Sequence, residues 1–153
     1  RMWYTAGERY EYLEGSKRGI VHLGYATSQN GIEWRRHPQP QLSPRLGDSR
    51  PFETVVSNPC VLKLNATYHM WFSVYQMEGN GYRLGYARSK DGVNWNRALN
   101  QEILALTPGG FDSVNQSYPN IIEIDDELWM FYVGNSFGAT GIGWATMKKS
   151  ALN

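Results

Sequence analysis

Apolar and polar positions alternate along most of the chain, in short runs separated by glycine, proline, asparagine and aspartate. The stretch Tyr82–Trp95 shows this best, because YRLGYARS alternates, Asp91-Gly92 follows, and a second short run ends in Trp95. Period-two alternation is typical of strands, and Asp-Gly between two such runs predicts a tight hairpin turn with φ > 0 at both residues. No segment is convincingly helical. The pattern therefore predicts an all-β protein.

The same hairpin pattern occurs twice more, as an internal repeat. His22–Trp34 reads HLGYATSQNGIEW, with Asn30-Gly31 at the turn, and Ile142–Thr146 repeats its core as IGWAT. The Leu/Ile-Gly-aromatic-Ala cores start at positions 23, 84 and 142, a spacing of 61 and then 58 residues. A period of this size predicts a repeat architecture.

Alignment of the copies defines a unit of four antiparallel strands, which in the second copy read NPCVLKL, YHMWFSVY, YRLGYARS and VNWNR. YPNIIEI and LWMFYVG match the first two strands at an offset of 60 residues, and the opening RMWYT matches the second strand. Gly7–Arg18 is charged and contains glycine, so we expect a loop there. Repeats of four antiparallel strands predict the blades of a β-propeller.

The strand count predicts one partial propeller domain over residues 1–153. Three, four and three strands give about two and a half blades, at about 1–45, 55–105 and 115–150. We expect four large aromatic side chains in the cores between blades, namely Trp71, Phe72, Trp129 and Trp144. An open arc would expose apolar blade faces and sheet edges, so we expect self-association as a homodimer that completes the ring. The alternative is a fragment of a longer propeller.

Composition narrows the function classes. The 15 basic and 14 acidic residues are scattered and leave a net charge of +1, which indicates no nucleic-acid partner. There is no apolar run of 18 residues and no N-terminal signal region, so no membrane partner is expected and a cytoplasmic location is the default. A removed signal peptide would instead make the protein secreted. The one cysteine, Cys60, and three unclustered histidines predict no metal site, and no cofactor is expected.

The phrases LGYARSKDGVNW, FDSVNQSYPNIIEIDDELWMFYVGN and GATGIGWA resemble the five-bladed propellers of glycoside hydrolase families 43 and 32 and their relatives. The resemblance covers nearly the whole chain and is in phase at every copy. It implies an active site on the central axis of the ring, where inner strands supply carboxylates, often in an Asp-Pro pair, with a glutamate as acid. Here Asn58-Pro59 and Tyr118-Pro119 occupy the matching positions, so the usual acids are absent from them.

Glycoside hydrolysis needs two carboxyl groups on either side of the scissile bond. Glu53 and Asp112 lie just ahead of the two inner strands, and we predict them as catalytic candidates, with capping of a loop as the alternative for each. The predicted substrate-binding residues lie at the starts of inner strands or on nearby loops, and they are Arg50, Asn58, Tyr118 and Asn135.

Three functions remain open at this point. The preferred hypothesis is a carbohydrate-binding half-propeller related to glycoside hydrolases but without the usual catalytic acids, since an aromatic content of 14% suits stacking on sugars. One alternative is an active glycoside hydrolase whose site is assembled between subunits. The other is a non-catalytic propeller module that binds a protein.

Overall fold

The computed structural model describes residues 1–46, 51–79, 81–98 and 101–152. These residues form ten β-strands, and no helix among them is long and apolar enough to cross a membrane. The strands are β1 (Met2–Leu13), β2 (Ser16–Thr27), β3 (Arg35–Arg36), β4 (Glu53–Leu64), β5 (Thr67–Gln76), β6 (Gly81–Ser89), β7 (Asn96–Arg97), β8 (Ser117–Ile124), β9 (Glu127–Val133) and β10 (Ile142–Lys148).

The strands group into three blades of antiparallel neighbours, β1–β3, β4–β7 and β8–β10. This confirms the prediction of an all-β partial propeller with three, four and three strands. Blades 1 and 2 share one sheet through a single parallel pairing of Val21 with Val55, whereas blade 3 is a separate sheet. We call the end at which β4 and β8 begin, and at which β5 and β9 end, the upper end of the blades. The opposite end is the lower end.

The glycine of each Leu/Ile-Gly-aromatic-Ala core has a steric reason. Gly24, Gly85 and Gly143 lie on the third strand of the four-strand repeat, which is β2 in blade 1, β6 in blade 2 and β10 in blade 3. A Cβ at any of these glycines would overlap an aromatic ring. The ring belongs to Tyr4 at Gly24 and to Phe72 at Gly85, which are second-strand residues of the same blade. At Gly143 the nearest ring atom belongs to Phe111, in the loop before β8, and the next to Tyr132 of the second strand. The repeat recognised in the sequence is therefore a packing unit, in which a second-strand ring lies beside a third-strand glycine.

The connection after β6 differs from the predicted two-residue turn, because only Gly92, at φ 78°, has a positive φ there. The Oγ of Ser89 accepts hydrogen bonds from the N–H groups of Asp91 and Gly92, and Oδ1 of Asp91 accepts from Val93 and Asn94. The prediction of φ > 0 at both turn residues is therefore wrong, since side-chain oxygens hold a longer loop in place of a tight turn. The equivalent residues of the first copy repeat these four bonds: Ser28, Asn30, Gly31, Ile32 and Glu33.

The prediction of a loop over Gly7–Arg18 is also wrong, because β1 and β2 continue through this stretch. They meet at a turn formed by Glu14 and Gly15, whose φ angles are 49° and 73°. Tyr10 and Tyr12 are 71% and 80% exposed, so this hairpin projects from the blade. With neither face of the hairpin fully buried, no strong apolar alternation marks these strands in the sequence.

Buried apolar side chains lie between neighbouring blades. The cluster between blades 1 and 2 consists of Leu23, Leu42, Val56, Met70, Phe72, Val74 and Ala87, and the cluster between blades 2 and 3 of Trp71, Ile121 and Leu128. Successive side chains of β5 point to opposite faces, so Phe72 contributes to one junction and Trp71 to the other. Their predicted place in inter-blade cores is confirmed. The prediction is wrong for Trp144, which is 60% exposed, and for Trp129, which stacks on Trp144 on the side of blade 3 away from blade 2.

Gly85→Ala is expected to lower the free energy of unfolding by about 1–3 kcal/mol, the usual cost of overpacking a filled core. The added methyl group would meet the fully buried ring of Phe72. Gly7→Ala is the matched control, because a Cβ at this position of β1 meets no atom within 4 Å. Urea unfolding of the three proteins measures the difference, and equal stabilities for the two variants would contradict the steric explanation.

The loop after β6 is expected to make stability depend on pH. Hydrogen bonds from the backbone N–H groups of Asn94 and Val93, and then from the side chains of Asn94 and Ser89, hold the pKa of Asp91 well below its usual value. Because the folded pKa is lower than the unfolded one, the carboxylate stabilises the fold above roughly pH 4 and this contribution is lost as the pH falls further.

Asp91→Asn is the variant that tests this, since it copies the neutral side chain of Asn30 in the first copy of the loop. We expect the variant to keep the loop and to lose less unfolding free energy than the wild type between neutral and acidic pH. Chemical unfolding at the two pH values measures this, and an identical loss in both proteins would count against the assignment.

Candidate functional site

The inner strands β4 and β8 share a strained step. Asn58 and Tyr118 each precede a proline, have φ angles of 52° and 55°, and lie where the strand pairing is irregular. The N–H of Asn58 donates to Oγ1 of Thr5 and that of Tyr118 to Oγ of Ser73, both at 2.9 Å, so the preceding blade holds each step. Such irregularities re-aim side chains and occur often beside functional sites.

Aromatic rings gather at the upper end beside Tyr118. The ring centroids of Tyr75 and Tyr82 are 5.2 Å apart, those of Tyr82 and Phe137 6.0 Å, and those of Tyr118 and Phe137 6.5 Å. The guanidinium carbon of Arg18 lies 5.8 Å from the ring centroid of Tyr75. We call these five residues the aromatic surface. Tyr118 and Phe137 are 43% and 68% exposed, so a ligand can reach their rings.

A left-handed turn carries Phe137 into the aromatic surface, and Tyr82 contributes a protonated phenol. Ser136 and Phe137 both adopt left-handed backbone conformations, at φ 53° and 56°, within the single turn Asn135–Gly138. Burial, and then the neighbouring phenols of Tyr118 and Tyr75, raise the pKa of Tyr82. The phenol of Tyr82 therefore stays protonated at neutral pH and can both donate and accept a hydrogen bond.

Asn135 organises the loops behind the aromatic surface. Its Oδ1 accepts hydrogen bonds from the N–H groups of Val114 and Asn115 at 2.8 and 2.9 Å, and its Nδ2 donates to Oγ of Ser113 at 3.1 Å. Oδ1 of Asn115 in turn accepts the N–H of Tyr82 at 2.7 Å. The side chain of Asn135, predicted to bind substrate, thus makes its hydrogen bonds within the protein. It supports the aromatic surface by holding Asn115, which in turn binds the backbone of Tyr82.

Glu53 is fully buried at the start of β4, between two arginines. Arg97 donates to its two carboxylate oxygens at 2.7 and 2.8 Å, and Arg45 donates from its backbone N–H and Nε at 3.1 and 3.2 Å. Both oxygens are therefore occupied and no solvent reaches them. A cavity of about 200 Å³ adjoins this ion-pair cluster and is lined by Arg83 as well.

Asp112 is also fully buried, in the loop before β8. Its Oδ2 accepts hydrogen bonds from Nε2 of Gln116 at 2.8 Å and from the hydroxyl of Tyr132 at 3.0 Å. Burial opposes ionisation of Asp112, but hydrogen bonds from Gln116, Thr107 and Tyr132 outweigh burial and lower its pKa. Burial, together with the hydrogen bond to Asp112, raises the pKa of Tyr132 to about 12. Asp112 thereby ties this loop to β9.

The structure brings only some of the predicted site residues together. Tyr118 is part of the aromatic surface, and Asn135 begins the turn that carries Phe137. Glu53 and Asp112 belong to two separate hydrogen-bond networks, while Arg50 lies outside the described residues. No group of three or more His, Cys, Asp or Glu side chains within the described ranges could hold a metal ion.

Sequence reasoning missed most of the aromatic surface, namely Arg18, Tyr75, Tyr82 and Phe137. A signal was available for two of these residues. Tyr75 and Tyr82 face each other across the connection between the second and third strands of the complete repeat. In an antiparallel unit this connection lies at the end where the first strand begins, which is also the end of the predicted inner-strand site.

A wider cleft of about 1080 Å³ lies at the lower end. Its lining is mainly polar and charged and includes Lys63, Arg88, Glu123 and Lys149, of which Lys149 and Glu123 form an ion pair at 2.8 Å. No Trp, Tyr or Phe among the described residues lines this cleft. The upper end, with its strained inner strands and accessible rings, is therefore the better candidate site.

Comparisons with known proteins fit this architecture. No family model matches the sequence. Two uncharacterized proteins of Mycobacterium tuberculosis, from strains CDC 1551 / Oshkosh and ATCC 25618 / H37Rv, are each 28% identical over 148 residues, which is 97% of this chain and 46% of theirs. The chain thus spans less than half the length of these curated relatives.

Solved structures of glycoside hydrolases share the fold. One glycoside hydrolase superposes with a TM-score of 0.69 at 22% identity, over 99% of this chain and 42% of its own. A family 117 enzyme of Zobellia galactanivorans gives 0.66 at 16% identity, over 83% of this chain and 37% of its own. A mutant family 32 β-fructofuranosidase of Bombyx mori in complex with sucrose gives 0.66 at 17% identity, over 95% and 31%. This chain therefore has the fold of the propeller glycoside hydrolases and corresponds to less than half of each matched protein.

Proposed function

We propose that this chain binds carbohydrate on the aromatic surface, as a glycoside-hydrolase-related half-propeller without the usual catalytic acids. The observation that carries the proposal is the group of accessible rings beside the strained residue Tyr118. An aromatic ring offers an apolar face to the C–H groups of a sugar, and a tyrosine hydroxyl can bond to sugar hydroxyls. The guanidinium of Arg18, beside Tyr75, adds hydrogen-bond donors.

The chemistry of the inner strands favours binding over hydrolysis. At the two positions where the resemblance implies carboxylates, the chain has Asn58 and Tyr118, and an amide cannot serve as nucleophile or base in this reaction. Both carboxylate oxygens of Glu53 and Oδ2 of Asp112 accept hydrogen bonds from protein donors in buried networks. Among proteins of the same fold, the Bombyx mori β-fructofuranosidase was solved with sucrose, which supports a sugar as the class of ligand.

Phe137→Ala is expected to weaken oligosaccharide binding about three- to tenfold, the equivalent of roughly 0.5–1.5 kcal/mol for one aromatic contact. A glycan array identifies the best-bound soluble oligosaccharide, and titration calorimetry with that sugar measures the affinity. Ile32→Ala removes an equally accessible apolar side chain at the lower end, 82% exposed, and should leave the affinity unchanged. Failure of the wild-type protein to bind any glycan on the array would overturn the proposal.

Glu53→Gln tests whether the carboxylate of Glu53 stabilises the fold. We expect this change to lower the free energy of unfolding by about 3–5 kcal/mol, because a buried ion pair loses one charge and leaves Arg45 and Arg97 uncompensated. Glu33→Gln, at an exposed position, should stay within about 0.5 kcal/mol of the wild type. Thermal and chemical unfolding provide the measurement.

The catalytic role first predicted for Glu53 and Asp112 is tested in the same set of proteins. Aryl glycosides are screened with the wild type, Glu53→Gln and Asp112→Asn, with circular dichroism to verify folding. Turnover by the wild type that both folded variants lose would establish the hydrolase alternative instead of a binding module.

A further inference from the structure

Arg18 differs from the other half-buried arginines of the described residues, because its guanidinium group has no protein acceptor. Arg45, Arg83 and Arg97 each donate hydrogen bonds to a carboxylate or a backbone carbonyl oxygen. Arg18 instead lies against the ring of Tyr75, and its Nε is buried without a hydrogen-bond partner. A covered N–H group without an acceptor costs free energy. The surroundings of Arg18 therefore favour a ligand that supplies the acceptor.

Carboxylates near Arg18 along the chain and across the hairpin are engaged elsewhere. Glu11 is the cross-strand neighbour of Arg18, but its Oε1 accepts a hydrogen bond from Nε of Arg9 at 2.6 Å. Glu78, in the turn after β5, accepts the backbone N–H of Phe52 at 2.8 and 2.9 Å. No carboxylate in the part of the chain that the structure describes forms an ion pair with Arg18. Its positive charge is thus unpaired there.

This charge lies at one end of the aromatic surface. The guanidinium group of Arg18 contacts Tyr75, Tyr75 contacts Tyr82, and the ring of Phe137 contacts both Tyr82 and Tyr118. The four aromatic members of the surface carry no carboxylate. A ligand that lies on the rings and extends as far as Arg18 therefore meets a single cation with no competing anion in the surface itself.

We propose that the carbohydrate bound on the aromatic surface is acidic, and that Arg18 binds the carboxylate of a uronic acid residue while the rings contact the sugar. The inference rests on the proposed binding of carbohydrate at this surface. A guanidinium group presents parallel N–H groups that fit the two oxygens of a planar carboxylate, and such charge-assisted bonds are the strong ones. A neutral sugar would leave the charge of Arg18 unpaired.

The proposal separates affinity from specificity. The exposed rings contact any sugar, so Phe137→Ala should weaken the binding of acidic and neutral oligosaccharides alike. Arg18 distinguishes between them, because only the acidic sugar offers a carboxylate. A change at Arg18 should therefore lower the affinity for the acidic ligand and leave that for the neutral one unchanged.

Paired oligosaccharides test the proposal. Uronic-acid-containing oligosaccharides and their carboxyl-reduced counterparts are compared on an array, and the best-bound pair is measured by titration calorimetry. We expect the wild type to bind the acidic member about tenfold more tightly, and Arg18→Gln to bind both members alike. Lys17→Gln is the matched control, since it removes the same charge from the next residue, whose ammonium lies over Tyr10 at 4.7 Å, and it should keep the preference.

A second measurement needs no variant. Added salt screens an ion pair, so the affinity of the wild type for the acidic member should fall with ionic strength more steeply than that for the reduced member. Circular dichroism verifies that each variant folds.

Three results would overturn the inference: equal affinity of the wild type for both members of the pair, a preference that Arg18→Gln retains, or tighter binding of sulfated oligosaccharides than of uronates. These results differ from a failure of the proposed function. Binding of neutral and acidic sugars without preference refutes only the role of Arg18, whereas a wild type that binds no sugar of either kind refutes carbohydrate binding itself.

Discussion

Packing between blades is the constraint on which the rest of this structure depends. Each blade is a small sheet with two apolar faces, and a sheet of three or four strands cannot bury both by itself. Successive residues of β5, Phe72 and Trp71, are therefore assigned to two different neighbours. The glycine at the centre of each repeat belongs to the same arrangement, since it leaves room for the second-strand ring beside the third strand.

The same packing positions the candidate site. Hydroxyl groups of Thr5 and Ser73, at equivalent places on the second strands of blades 1 and 2, accept the backbone N–H at the strained step of the next inner strand. The aromatic surface draws on residues of all three blades, so its geometry depends on how the blades pack against one another. The buried ion pairs of Glu53 with Arg45 and Arg97 tie the connection after blade 1 to the first and last strands of blade 2.

The repeating strands were predictable from the sequence, whereas the conformation of the repeated loop after the third strand and the features that occur once were not. Three copies of one pattern identified the strands, their order and the incomplete blades, because alternation and spacing directly reflect burial. The projecting hairpin of β1 and β2 lacks a fully buried face and so lacks that signal. Phe137 depends on a left-handed turn, and Trp144 is exposed because it lies on the side of blade 3 that faces away from blade 2. Both outcomes are set by tertiary structure.

The two strained steps differ in a way that bears on function. Asparagine adopts a left-handed conformation at little cost, because its short side chain can bond locally, so Asn58 needs no further explanation. Tyrosine has no such compensation, and a bulky residue at φ 55° is a costly choice for Tyr118. The bond to Ser73 holds the backbone there but does not call for a tyrosine side chain. The phenol, 43% exposed and beside Phe137, is what this position supplies to the aromatic surface, and the strain at Tyr118 is consistent with the binding role proposed for that surface.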